Sequence, residues 1–157
     1  MKDSAVRNNK NLKTILLGLF VAFLNQSVMA ETSKEYAVMA KSVWSAFECS
    51  VLAEKSKNVI EQERLFTYGY KQGLVFIEAL KAQKIKQEDL SSESPLMMLL
   101  LLQGPTPDFM LGRVFEGALE SGLKNVYKTG EEFNSDEMQE TIAKNEFWNR
   151  NCQLIGK

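Results

Sequence analysis

The side chains that most often do chemistry are scarce in this chain. Among its 157 residues there is no histidine, so the commonest general base and metal ligand is missing. It has two cysteines, Cys49 and Cys152, too few to build a zinc site alone. Carboxylates are plentiful. Glu116 and Glu120 lie four apart, as do Asp136 and Glu140, and on a helix each pair shares a face. Two carboxyls facing a cleft suffice for glycoside hydrolysis. Such pairs are also ordinary features of solvated helix surfaces, and that is the reading preferred here. No G-x-S-x-G, phosphate-loop or dinucleotide fingerprint is present. Gly112-Arg113-Val114-Phe115-Glu116-Gly117 has glycines, but they fall within a helical pattern. The expectation is a protein without catalytic residues, metal or cofactor.

Two segments are better suited to contact than to catalysis. Gly104-Pro105-Thr106-Pro107-Asp108-Phe109, followed by Arg113 and Glu116, is a rigid loop running into a capped helix. It is either a well-made helix start or a platform presenting Asp108, Phe109, Arg113 and Glu116 to a partner. Arg113 and Glu116, three apart, are placed to pair. Tyr68-Gly69-Tyr70-Lys71-Gln72-Gly73 sets two tyrosines among small residues. Tyr68 and Tyr70 either line a groove or sit in the core with satisfied hydroxyls.

The chain's start gives an address. Lys2, Arg7, Lys10 and Lys13 precede an apolar run, Ile15–Leu24, and Val28-Met29-Ala30 closes it with small residues. That order predicts a signal peptide over residues 1–30, cleaved after Ala30. The run is too short for a comfortable membrane span, which takes about 20 apolar residues. Removing residues 1–30 reduces the 19 basic and 20 acidic side chains to 15 and 19, a net charge of −4. A mildly acidic chain has no footprint for nucleic acid. Export also makes Cys49–Cys152 a disulfide, with two buried thiols as the alternative. Closing a loop of about 100 residues is worth up to about 4–5 kcal/mol in the chain-entropy model.

Residues 31–157 read as one helical domain. Thr32 or Ser33 starts a first helix with Tyr36, Ala40, Val43, Phe47 and Val51 along its stripe. A second covers about 58–83, with Ile60, Phe66, Gly69, Tyr70, Gly73, Leu74, Ile77 and Leu80 inward. Gly69 and Gly73 share a face, which signals close approach of another helix or a kink. Residues 84–93 are polar and read as a connection. Ser94 and Pro95 look like an N-cap and first turn, opening a Leu96–Leu102 helix that is either central or partly exposed as a contact surface. Thr106 and Pro107 open a fourth helix that carries Phe109, Gly112, Phe115, Leu119, Leu123 and Val126 to about Lys128, closed by Gly130. Ser135 caps a last one, with Met138, Ile142, Asn145, Trp148 or Asn149, and Cys152 on one side. The fold class expected is all-α: a single-domain bundle of about five helices, stapled by one disulfide.

With its signal peptide, Cys49 on an early helix, the Gly69-Tyr70-Lys71-Gln72-Gly73 core and a distant second cysteine, the chain resembles the small exported helical immunity proteins that protect bacteria from type VI secretion amidase toxins. It departs from them in carrying Tyr68 where they place a cysteine just before that core. The resemblance implies a periplasmic protein that binds a toxin or hydrolase in the envelope and occludes its active cleft; a homodimer is compatible with this. An envelope-stress or chaperone-like protein is the alternative, and a carboxylate-based cell-wall hydrolase the third reading.

Overall fold

The computed structural model describes residues 31–157; the expected signal peptide and its cleavage site lie outside them. Helix α1, Ser33–Lys55, is the axis of the fold. Thr32 and Glu35 form a capping box at its start, each side chain accepting from the other's backbone N–H. Its alanines at 37, 40, 46 and 53 are buried and let neighbours approach, while Val43, Phe47, Val51 and Leu52 fill the core. Helices α2 (Val59–Lys81), α5 (Pro107–Tyr127) and α6 (Asp136–Asn149) all pack on α1.

Helix α2 runs unbroken through Gly69 and Gly73, so close approach holds and a kink does not. A Cβ on Gly69 would stand 2.9 Å from the Phe47 ring, and one on Gly73 2.4 Å from Leu111 Cδ2. The buried stripe of α2 is Leu65, Gly69, Gly73, Phe76 and Ile77. Ile60 and Phe66, expected inside, are 80% and 41% exposed. Ile60 lies five residues before Leu65, about 140° around the helix, and Phe66 about 100° beyond it.

The connection expected at 84–93 contains a short helix, α3, Gln87–Glu93. Its start has no side-chain cap and is tied to α1 instead: Lys86 N–H donates to Ser33 Oγ at 2.8 Å, and Ser33 Oγ–H donates to Asp89. Ser94 does not cap the next helix; its hydroxyl donates to the Ala37 carbonyl at 3.2 Å. Helix α4, Leu96–Leu101, is not central. At under two turns it offers one side to α5, burying Met98 and resting Leu101 against Gly117, and nothing described covers the other side.

Helix α5 begins as expected, with Pro107 in the first turn and Thr106 Oγ1 accepting from Phe109 N–H at 3.2 Å. Leu111, Val114, Ala118, Leu123 and Val126 are buried, while Phe109 is 53% exposed. After it, two-residue strands β1 (Lys128–Thr129) and β2 (Glu132–Phe133) pair antiparallel around Gly130, whose φ of +65° suits the turn. In α6 the inward residues are Ala143 and Phe147, with Ile142 half-buried beside them, and the rest of the expected α6 stripe faces outward. Met138 and Trp148 are more than half exposed.

Cys152 lies in a 3-10 turn, Cys152–Leu154, and its disulfide to Cys49 joins the end of the chain to α1 across 103 positions. The architecture is thus all-α, with six α-helices and one disulfide among the described residues. Such a bond belongs to an oxidising compartment. No described helix is long and apolar enough to cross a membrane.

Candidate functional site

The two segments singled out in the sequence meet through one pair of residues. Tyr70 on α2 donates its hydroxyl to Asp108 Oδ1 in the first turn of α5, at 2.6 Å. Helical spacing supplies the rest. Phe66 precedes Tyr70 by one turn, and their rings are nearly parallel, 12° apart with centroids 6.3 Å apart. On α5, Leu111, Gly112 and Phe115 follow Asp108 at steps that keep one face. Phe115 stands edge-on to Phe66 at 5.4 Å and to Phe47 of α1 at 5.3 Å. These residues enclose a hollow of about 310 Å³. Phe47 and Leu111 are its buried floor; Phe66 and Phe115 are walls, and Tyr70 and Asp108 stand at the mouth. The hydrogen bond to Asp108 first, then burial and the nearby negative charge, hold the Tyr70 hydroxyl above its ordinary pKa and keep it a donor.

The other predicted contact residues lie elsewhere. Phe109 folds over Gly104, where a Cβ would stand 2.2 Å from its ring. Arg113 does not pair with Glu116; it donates to the Gln103 carbonyl at 2.9 Å, just past the end of α4. Gln103 lies in the loop between α4 and α5, so this bond ties α5 to that loop. Arg113, Glu116 and Glu120 instead border a separate hollow of about 180 Å³ with Leu101 and Gly117. Tyr68 points to another side, its ring packed on Gly156 at the C-terminus. Asp136 and Glu140 border a charged hollow in which Lys57 pairs with Glu140 at 2.5 Å. That contact, with Glu140 first as hydrogen-bond partner and then as charge, raises the Lys57 pKa.

Both cysteines are consumed by the disulfide, and the described residues contain no free cysteine and no cluster of His, Cys, Asp or Glu able to hold a metal. The carboxyls with shifted proton affinity, Glu35, Glu61 and Glu137, are all shifted downward: by the Thr32 backbone, by Arg64, and by hydrogen bonds at the α6 start. A general acid needs the opposite shift.

Sequence reading missed that Phe47, Phe66, Leu111, Gly112 and Phe115 form the site. The signal was there as F-x3-Y on α2 and D-x2-L-G-x2-F on α5, two stripes of helical spacing with an acid at one end. Compared with protein families, curated proteins and solved structures, the chain matches none.

Proposed function

We propose that this is a periplasmic protein, exported through a cleaved signal peptide, that works by binding a protein partner in the envelope, as an inhibitor or immunity protein against a toxin or hydrolase. The observation that carries the reading is the aromatic hollow with its fixed Tyr70–Asp108 mouth. Its walls are aromatic side chains on long helices, which give contact area at low entropic cost. Aromatic anchors in preformed concavities are where binding energy concentrates. The disulfide limits how far α1 and the chain end can part, so the surface is presented without a large ordering cost. Occlusion of a partner's cleft requires no catalytic group on this chain.

The test is direct titration. Purified mature protein added to each hydrolase encoded beside it should abolish one activity at a one-to-one ratio. Full activity of all of them at tenfold excess of the protein, with no complex by size exclusion, overturns the inhibitor reading.

A second reading, an envelope-stress or chaperone-like protein, is favoured by α4. Leu96, Met97 and Leu100 lie on one side of it and are 69%, 55% and 53% exposed. This reading expects reversible expansion and dye-binding apolar surface at low pH. An unchanged hydrodynamic radius between pH 7 and about 3, where carboxylates titrate, removes it.

A further inference from the structure

We infer that the aromatic hollow between α2 and α5 takes the cationic tip of a lysine or arginine side chain of the partner protein. The inference deepens the binding reading above and rests on it.

Three observations carry it. The first is charge. The lining is aromatic and aliphatic apart from Asp108, the one ionisable acid, and contains no base. Asp108 Oδ1 accepts from Tyr70, and among the described residues no lysine or arginine nitrogen comes within 4.0 Å of this carboxylate. A carboxylate beside electron-rich ring faces is the complement of a cation with an apolar stem.

The second is that three other rings of this chain do hold a lysine, though half-exposed Phe109 and Trp148 do not. Lys55 lies over Tyr127 at 4.7 Å, Lys84 over Tyr36 at 5.8 Å and Lys128 over Phe133 at 4.2 Å. Phe66, Tyr70 and Phe115 have no such cation among the described residues.

The third is room. Glycine inside a helix is unfavourable relative to alanine. Gly69, Gly73, Gly117 and Gly122 each answer to a neighbour within 3.2 Å of a would-be Cβ. Gly112 answers to nothing within 4 Å. It leaves a gap beside Asp108 through which a long side chain can lie against the backbone of α5. The described residues' net charge of −4 matches a basic patch on the partner.

The test uses three capped pentapeptides, Ala-Ala-X-Ala-Ala, with lysine, norleucine or glutamate at X, titrated into the folded protein and followed by amide and methyl NMR shifts. Norleucine has lysine's stem without its charge. The expected result is saturable shifts at Gly112 and Leu111 with lysine, and binding about tenfold weaker with norleucine. Asp108→Asn should reduce the lysine preference to within about threefold of norleucine, and Gly112→Leu, which fills the gap, should abolish binding. Both variants are checked first for a melting transition no lower than that of the unaltered protein. Norleucine binding as tightly as lysine, or no shift in the hollow with any peptide, overturns the inference. So does a dimer in sedimentation that Asp108→Asn dissolves, since the occupant is then a second copy. The peptides need no knowledge of the partner, so the two proposals fail separately. Lysine selectivity without any inhibited hydrolase leaves the cation site and removes the inhibitor. Inhibition lost in Gly112→Leu without lysine selectivity leaves the inhibitor and removes the cation site.

Discussion

Gly112 and Gly122 sit ten residues apart on α5, and replacing each by alanine has opposite consequences. At Gly112 a methyl group meets open space, so Gly112→Ala removes backbone freedom and gains up to about 1 kcal/mol. At Gly122 the same methyl stands 3.2 Å from the Glu48 carbonyl oxygen and 3.3 Å from its Cα. That is backbone of α1, which cannot swing aside like a side-chain tip, so Gly122→Ala costs about 1–3 kcal/mol. Urea unfolding checks both: the midpoint should rise in the first and fall in the second, with the slope unchanged. A fall for Gly112→Ala would mean that glycine there serves the fold. The sequence shows both residues as helix glycines; it does not show which one another helix crosses. The same limit applies at the mouth of the hollow. Tyr70 and Asp108 each stand out in their own segment, but the bond between them spans 38 positions and depends on how α2 lies on α5. Arg113 was read as a partner for Glu116 by spacing; it donates instead to the Gln103 carbonyl in the loop before α5, which spacing along one helix does not show.

Between elements, the disulfide and the C-terminal turn act together. Cys49 and Cys152 are 2% and 0% exposed, so a thiol reductant must wait for the turn to open. Arg64 on α2 holds that turn closed. It is bidentate to Glu61, at 3.0 and 2.7 Å, and donates to the carbonyls of Ile155 at 2.5 Å and Cys152 at 3.4 Å. Arg64→Ala should therefore speed reduction by dithiothreitol roughly tenfold, as the loss of hydrogen bonds to a charged group of about 1.5 kcal/mol implies. A rate unchanged and equal to global unfolding would show that the turn has no opening of its own. Replacing both cysteines by alanine should lower stability by up to about 4–5 kcal/mol, read as a shift in urea midpoint. Helices whose caps are local were legible: Thr32, Thr106 and Ser135 each cap the helix that follows, and Asn58, read only as the start of the second helix, caps it too. Helix α3 was not, because it has no side-chain cap and its start is held by Ser33, 53 positions away. The Leu96–Leu102 run was apolar all round in sequence, and only its packing, chiefly on α5, decides that Leu96, Met97 and Leu100 stay outside while Met98 is buried.

At the scale of the whole molecule, charge decides how the fold answers to pH. The fold class was legible because helical stripes and caps agree along residues 31–157, which form one compact unit. The absence of histidine was equally legible, and it removes the one side chain that ordinarily titrates between pH 5 and 8. Glu35, Glu61 and Glu137 have pKa values below those of an unfolded chain. Each thus contributes stability that is complete above the ordinary glutamate value and lost as pH falls through the folded one. Lys57 and Arg64 have raised values, so their contribution is complete below the ordinary value of each and lost only when strong alkali passes the folded one. The melting temperature should therefore be flat from about pH 5 to 8 and fall below about pH 4. Glu61→Gln should be less stable at neutral pH and show a shallower acid limb, because the proton-linked Arg64 contact is gone at every pH. Melts followed by circular dichroism across pH 3–8 check both curves. A clear loss of stability between pH 8 and 5 would count against a fold whose acid response rests on carboxylates alone.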